Sequence, residues 1–374
     1  IGFTVAFSDA IRASIAARMG LPVSNILLAC THTHTGPATM PLRAVGAIDP
    51  DYLATVSERI QRAALAAVAD ARPAALARAF PYVEPIGYNR RLRSFEPIDP
   101  VLNVALLQRR EGSIVLTSYA CHAVTLGRVD QVSADWPGGV VRAFERRGYH
   151  ALAFQGYCGD IDPVVFMNQW GSGTPEDLEL MGELLCQRAL KALASAKTNP
   201  RPELVTGEER IRLPLDVPES QQALDEELAG YLAKDPAAGA ERMIRSWHAD
   251  ASVERAELYA RPYLEAPVLG WSLGDVRLVG LPGEVFAEYS TRLRGTWPTL
   301  FPVGYAGGVV GYVPTAETYD RADDYAAYDA PRLYQLFPFA RDVERVMLGA
   351  CEQVLHSLER SASASTRGDG RPVG

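Results

Sequence analysis

The amino-acid sequence predicts an α/β fold in which a mixed β-sheet core is flanked by helices. Short apolar runs alternate along the chain with segments whose apolar residues have helical spacing, a pattern typical of α/β architectures. The chain has 374 residues, of which 48% are hydrophobic and 22% charged, so it can bury a large core. Five of the apolar runs end abruptly in residues that can bind a metal or transfer a proton. Because ligands bind outside the carboxyl ends of the strands in open α/β sheets, the sequence predicts a metal site at those ends.

The first apolar run, residues 27–30, leads into a histidine pair. The following residues are Thr31-His32-Thr33-His34-Thr35-Gly36-Pro37. Residues two apart in an extended segment point to the same side, so we expect His32 and His34 to face one point at the end of a buried strand. A pair of this kind can also serve only to satisfy hydrogen bonds in a loop, and the rest of the chain must decide between the two interpretations.

Four further apolar runs have the same form. Residues 114–119 precede His122, 151–154 precede Asp162, 276–281 precede Glu284, and 302–310 precede Tyr312. Taken singly, each residue has an ordinary structural role: a half-buried histidine, a turn acid before a proline, an acid in the first turn of a helix and a core tyrosine. Imidazole and carboxylate groups are, however, the usual ligands of catalytic zinc. We therefore interpret the five strand ends as the walls of one pocket.

Helical segments lie between these strands. Asp49 is a predicted N-cap with proline at the first helical position, and a helix should follow to about Asp70. Thr174 opens another helix with the same start signal, which should end before Asn199. Further helices are predicted over residues 137–147, 284–294 and 341–358.

The chain is expected to form one domain over residues 1–360, with 201–262 as a peripheral insertion and 361–374 as a disordered tail rich in Ser, Gly and Arg. Because it starts at Ile1 rather than at methionine, we expect an amino-terminal segment to be missing. Any signal peptide would be lost with that segment, so both a secreted and a cytoplasmic location stay open. The sequence carries no signal for the oligomeric state.

Composition excludes several functions. The net charge is −8 and no stripe of basic residues is present, which argues against a nucleic-acid partner. No run of 18 or more apolar residues predicts a transmembrane segment. The five cysteines are odd in number and lack paired spacing, so they predict neither a disulfide framework nor a structural zinc site.

An ordered set of six motifs carries a resemblance to a known family. The motifs are Thr-His-Thr-His-Thr-Gly-Pro, Cys-His-x-x-x-Leu-Gly, Ser-Ala-Asp-Trp-Pro-Gly, Phe-Gln-Gly-x-x-Gly-Asp, Leu-Pro-Gly-Glu and Gly-Tyr-Val-x-Thr. Together they resemble the catalytic domain of neutral/alkaline non-lysosomal ceramidases and their bacterial relatives, from about Ile1 to the helix that ends near Leu358. The resemblance implies a catalytic domain, sphingolipid or other lipid metabolism, and hydrolysis of linear amides.

The resemblance also implies a set of site residues. One zinc ion per chain would be bound by His32, His122, Glu284 and Tyr312. Asn89-Arg90 is similar to a family pair that reaches into the active site, and His34 is similar to the second histidine of the motif, near the metal. The implied substrate is a small-molecule or lipid N-acyl compound.

One position departs from the family pattern. Ceramidases carry an active-site serine where this chain has Asp162, in Gly159-Asp160-Ile161-Asp162-Pro163. A metal-activated water needs no protein nucleophile, so amide hydrolysis remains possible, with Asp162 or His34 as the proton acceptor. Arg90 would stabilise the developing oxyanion or bind a substrate carboxylate. The replacement leaves open whether the substrate is ceramide or a smaller, more polar compound.

Two other functions remain compatible with the sequence. The chain could be a metal-dependent hydrolase of another lineage, since His-x-His also follows the first strand of amidohydrolase barrels. That fold needs two further histidines and an aspartate at later strand ends, and only His122 is well placed. Alternatively, it could be a non-catalytic relative that keeps the ceramidase fold and the metal, as the replacement at Asp162 suggests.

Overall fold

The computed structural model describes residues 1–43, 45–127 and 129–368. Its helices are α1 (Val5–Met19), α2 (Pro50–Ala69), α3 (Asp135–Glu145), α4 (Pro175–Leu193), α5 (Gln221–Leu232), α6 (Ala238–Ala260), α7 (Glu288–Arg294), α8 (Ala330–Leu333) and α9 (Val343–Gly368). Its strands are β1 (Ala75–Ala79), β2 (Gly87–Asn89), β3 (Asn103–Gln108), β4 (Ile114–Tyr119), β5 (His150–Gln155), β6 (Ile161–Pro163), β7 (Thr198–Asn199), β8 (Leu204–Pro214), β9 (Tyr263–Leu273), β10 (Val276–Gly280), β11 (Glu284–Val285), β12 (Leu300–Val303) and β13 (Tyr312–Val313). Among these residues, no helix is both long and apolar enough to cross a membrane.

Two larger sheets form the centre of the molecule. The first has the order β5-β4-β3-β1-β7, and the second has the order β12-β10-β9-β8. Both are mixed, because β4 and β5 are parallel in the first and β10 and β12 are parallel in the second, whereas the other pairs are antiparallel. The predicted α/β class with a mixed sheet core is confirmed.

The two sheets pack face to face with helices outside them. Leu76 and Ala105 of the first sheet share a core cluster with Leu269, Leu278 and Phe301 of the second. A second cluster joins the outer face of the first sheet to α3 and α4, and a third joins the second sheet to the helices on its other side, α9 among them. The result is a helix-sheet-sheet-helix arrangement, in which each sheet buries both faces.

Two short pairings place chemically active residues side by side. In the parallel pair of β11 and β13, Glu284 lies beside Tyr312. In the antiparallel pair of β2 and β6, Tyr88 lies beside Asp162. Tyr88 directly precedes Asn89 and Arg90 in the chain.

The predicted start signals of two helices act as expected. Asp49 caps α2 by accepting hydrogen bonds from the backbone N–H groups of Asp51 and Tyr52, with Pro50 at the first helical position. Thr174 caps α4 in a reciprocal capping box with Asp177. Both helices end close to the predicted positions.

Four local predictions are wrong. Residues 27–30 form no strand beyond a single bridge between Ala29 and Ala306, and the chain turns just after them at His32, which has a left-handed backbone (φ 59°). The strand predicted over 302–310 ends at Val303, since positive φ angles at Tyr305 and the following glycines bend the backbone. Glu284 begins β11 rather than a helix, and α7 starts only at Glu288.

The fourth concerns the end of the chain, where α9 continues to Gly368. Residues 361–368 were predicted to begin the disordered tail and are helical instead. The remainder of that predicted tail, 369–374, lies outside the described residues. The predicted insertion 201–262 supplies β8 at the edge of the second sheet and the helices α5 and α6. Its assignment as an insertion stays a prediction.

Candidate metal centre

Three histidines and a glutamate from distant segments meet at one point. Nε2 of His122 lies 2.9 Å from Oε2 of Glu284, and Nε2 of His32 lies 3.4 Å from the same oxygen. Nε2 of His34 is 3.1 Å from Nε2 of His32. The ligand atoms of the three histidines all lie within 4.8 Å of one another. His32, His122 and Glu284 are buried, whereas His34 opens onto a cleft.

Backbone carbonyl groups determine which ring nitrogen faces inward. Nδ1 of His32 is 2.9 Å from the carbonyl oxygen of Ile1, and Nδ1 of His122 is 2.7 Å from that of Cys158. Each Nδ1 therefore carries a proton and donates it, so Nε2 is the nitrogen left to bind a cation. Two Nε2 atoms and one carboxylate oxygen converge, and either a proton on one Nε2 or a metal ion between them would remove their mutual repulsion. A carbonyl partner on the outer nitrogen is the usual arrangement of histidines that bind metals.

The electrostatics of the cluster point the same way. Burial lowers the pKa of His32 to about 4, against the attraction of Glu284. Loss of bulk water around the ring, followed by repulsion from His32 and His122, holds the pKa of His34 well below its usual value. Burial also opposes charge on His122, but its contacts with Cys158 and Glu284 raise its pKa to about 10. Burial alone would raise the pKa of Glu284, yet the histidines hold it well below its usual range.

These charges mean that the carboxylate of Glu284 keeps a positive partner. Without a metal that partner is the doubly protonated ring of His122, since both of its nitrogens face acceptors. A metal ion would replace that proton, as metal binding to histidine generally requires.

The donor set fits zinc. Tetrahedral zinc binds nitrogen and oxygen at about 2.0 to 2.2 Å, which places neighbouring ligand atoms about 3.3 Å apart. The separations of 2.9, 3.1 and 3.4 Å among His122, Glu284, His32 and His34 are close to that spacing. The hydroxyl of Tyr312 accepts a hydrogen bond from Arg90. Its role as a metal ligand stays a prediction.

Two tyrosines that sequence reasoning missed hold this cluster in place. The hydroxyl of Tyr334 donates a short hydrogen bond to Oε1 of Glu284, the oxygen that does not face the histidines. The ring of Tyr305 stacks on His32 with centroids 4.0 Å apart and an interplanar angle of 16°. Tyr305 and His32 both have left-handed backbones (φ 54° and 59°). Backbone strain of this kind persists where surrounding contacts enforce it, as they do at many functional sites.

The motifs of the sequence support the centre through backbone hydrogen bonds. Trp136 donates from Nε1 to the carbonyl oxygens of Cys121 and His122, at 3.1 and 3.2 Å. Gln155 donates from Nε2 to the carbonyl oxygen of Thr31, at 2.9 Å, directly before His32. Similar contacts to the carbonyl oxygen of Ser133 come from the hydroxyl groups of Thr33 and Thr35. These motif residues therefore position the histidine-bearing loops.

Arg90 connects the metal centre to the position where the sequence departs from the family pattern. Its guanidinium donates to Oδ1 of Asp162 at 3.1 Å, to the carbonyl oxygen of Gly159 at 2.9 Å and to the hydroxyl of Tyr312. The side chain of Asp162 is almost fully buried, whereas that of Arg90 is 24% exposed. The structure thus places the predicted site residues Arg90, Asp162 and Tyr312 in contact with one another, and their roles stay predictions. Asn89 is buried and bonds to Asp160 at 2.7 Å, so it supports the loop.

A cleft of about 650 Å³ opens above these residues. His34, Arg90, Asp162 and Tyr312 form part of its wall. A volume of this size is typical of small-molecule sites, which combine apolar surface with a few convergent polar groups. The arrangement therefore places a cluster that could hold a metal, a fixed arginine and a carboxylate beside one cleft.

The helix-sheet-sheet-helix fold is one for which solved examples exist. No protein-family profile matches the chain, and no curated protein matches it in sequence. A crystal structure of neutral ceramidase from Pseudomonas aeruginosa superimposes with a TM-score of 0.70 at 17% identity, covering 96% of this chain and 65% of that one. A ceramidase structure described as complexed with C2 has a TM-score of 0.71 at 16% identity, covering 96% and 66%.

The fold is therefore that of the neutral ceramidases, and the predicted resemblance is confirmed at the level of the fold. The chain spans about two thirds of the length of these solved proteins.

Proposed function

We propose that this protein is a zinc-dependent hydrolase that cleaves the amide bond of an N-acyl compound. The observation that carries the proposal is the convergence of the Nε2 atoms of His32 and His122 on one oxygen of Glu284. The ceramidase-like fold and the cleft beside this cluster support it.

His32, His122 and Glu284 are the proposed ligands, with Tyr312 as a fourth and His34 beside them. Zinc held there would polarise the amide carbonyl and lower the pKa of a water molecule to near neutrality. The carbonyl groups behind His32 and His122 and the hydroxyl of Tyr334 keep the ligands oriented.

The other polar groups would handle the proton and the negative charge. His34 is a neutral base at pH 7, because its pKa is held low, and it opens onto the cleft. Asp162 supplies a carboxylate oxygen on the same wall. Both are proposed as proton acceptors for the attacking water. Arg90 keeps a fixed positive charge beside them, which would stabilise an oxyanion at the former carbonyl oxygen.

The test combines metal content with turnover. Wild type, His32→Ala and Glu284→Ala would be purified and analysed for zinc, and each would be assayed on short N-acyl amides and on ceramide, with and without a chelator. We expect about one zinc per chain in wild type and loss of zinc and activity in both variants. Wild type that has lost its activity to the chelator should recover it when zinc is added back. His150→Gln is the matched control, because His150 is exposed at the start of β5 and should change neither property.

The same experiment addresses the two alternatives. Zinc binding without turnover of any amide would favour the non-catalytic relative and contradict the proposal. The amidohydrolase alternative requires a closed barrel of parallel strands, whereas the described strands form open mixed sheets. The geometry therefore favours the ceramidase-like hydrolase.

A further inference from the structure

The cleft beside the metal centre is strongly charged. Among the described residues that line it, four are arginines and three are aspartates: Arg90, Arg91, Arg93, Arg321, and Asp162, Asp323, Asp324. A cleft built for the uncharged headgroup and long chains of ceramide would instead be lined mainly by apolar side chains. The lining therefore bears on which substrate the site accepts.

Two of these arginines are already occupied. Arg90 pairs with Asp162 at 3.1 Å, and Arg91 pairs with Asp324 at 2.7 Å while lying over the ring of Phe286. Both carboxylates are buried, so these pairs are fixed parts of the wall. Neither arginine can leave its aspartate to bind a ligand, because the buried carboxylate would then be unpaired.

The other two arginines are available. Arg93 donates to the carbonyl oxygen of Met167 at 2.8 Å, and among the described residues neither it nor Arg321 has an ion pair with a carboxylate. Both are exposed on the cleft. Asp323, also exposed and unpaired within the described part of the chain, offsets one of their charges. The lining therefore keeps a surplus of one positive charge, although the whole chain has a net charge of −8.

Resting on the proposed function, we propose that the substrate is an N-acyl compound that carries a carboxylate, and that Arg93 and Arg321 bind this group. The planar guanidinium offers parallel N–H donors that match a carboxylate. A surplus of one charge suits a monoanion better than a phosphate, which carries about −1.5 to −2 at pH 7. Val124, Phe166 and Trp170 supply an apolar part of the wall for a short acyl chain.

The test compares matched ligands that differ only in the charge. N-butanoylglycine would be paired with N-butanoylglycinamide, and N-propylsuccinamic acid with N-propylsuccinamide, so that the carboxylate lies on the amine side in one pair and on the acyl side in the other. Binding to the zinc-loaded protein would be measured by calorimetry, and hydrolysis would be measured separately. We expect the acid to bind about fivefold more tightly than the amide in at least one pair, with the difference shrinking at 0.5 M salt.

Variants identify the residues responsible. Arg93→Gln and Arg321→Gln should each reduce the preference for the acid, and the double variant should abolish it. Arg110→Gln is the control, since Arg110 is exposed in the turn before β4, at the end of that strand away from His122. It should keep the full preference.

The outcomes separate this inference from the proposed function. Hydrolysis of amides with no preference for the acid in either pair would overturn the inference and leave the hydrolase proposal standing. A carboxylate preference in binding without any turnover would support the anion site and contradict the hydrolase. Tighter binding of a phosphomonoester analogue than of the carboxylate would overturn the assignment of the ligand.

Discussion

Gly159 provides a sensitive test of how the chain positions Glu284. A Cβ atom at this residue would lie 2.2 Å from the carbonyl oxygen of Glu284 and 2.7 Å from its carbonyl carbon. Both are backbone atoms of β11, so no side chain can rotate away. The N–H of Gly159 also donates to the carbonyl oxygen of Val285 at 2.8 Å, which ties the two segments together. Gly159→Ala must therefore separate β11 from the loop that precedes β6.

The size of the effect follows from this overlap. Ordinary contact begins at about 3.4 Å, so the backbone must move by about 1 Å, and overpacking of this kind costs roughly 1 to 3 kcal/mol. The entropy of unfolding is about 2.1 cal/mol/K per residue, or about 0.8 kcal/mol/K for 374 residues. A loss of about 3 kcal/mol would therefore lower Tm by about 4 °C. Because Glu284 moves with β11, zinc affinity should also fall, by about tenfold or more.

Differential scanning calorimetry and zinc competition titrations would measure the two effects on the same preparations. Gly230→Ala is the matched control, since Gly230 is exposed within α5 and a Cβ there meets nothing within 4 Å. It should stabilise the protein by about 0.5 to 1 kcal/mol and leave zinc affinity unchanged. A Gly159→Ala variant with wild-type Tm and wild-type zinc affinity would refute the view that this close approach positions the ligand.

Four further predictions concern the same centre. Tyr334→Phe removes the hydrogen bond to Glu284 and should weaken zinc binding by about 10- to 100-fold with little change in the fold, as competition with a chelator and circular dichroism would show. Zinc binding near pH 7.5 should release about one proton from His122, measurable by calorimetry in two buffers of different ionisation enthalpy, and binding that releases no proton would contradict its double protonation. Because the pKa of His122 is raised to about 10, its contribution to the stability of the metal-free protein is complete below about pH 6.5 and is lost as the pH rises towards 10, so chemical unfolding should become easier over that interval. Arg90→Lys keeps the charge but loses the planar fork, and kcat on an N-acyl amide should fall by about 100-fold while zinc content stays at the wild-type level.

The elements that sequence reasoning located well are those with a local cause. β4 was predicted at its observed bounds, and α2 was predicted from Asp49 and Pro50, whose side chain and ring set the first turn. Apolar runs that are buried on both sides, such as β4 and β10, have few alternatives to a central strand. Local chemistry was sufficient in these cases.

The loop that carries His32 and His34 shows where local reasoning fails. Alternation predicted an extended strand end, yet the rings meet because His32 adopts a left-handed backbone under the stacked ring of Tyr305. That backbone conformation depends on a residue far along the chain and leaves no local signal. Tyr334 is similar, since it reaches Glu284 from the position directly after α8, 50 residues further on. Only the folded chain can reveal such partners.

The motif set indicated the right fold at 16 to 17% identity because of what its residues do. Trp136 and Gln155 contribute hydrogen bonds to backbone carbonyls beside His122 and His32, and Gly159 permits the approach of β11. These residues support the loops and strands around the cluster and do not line the cleft, so they indicate the fold without specifying a reaction partner. The residues that we propose to contact the substrate lie elsewhere, on the cleft wall, where Asp162 pairs with Arg90 and other arginines face solvent. Work on specificity should therefore begin at that wall, and work on metal binding at the motifs.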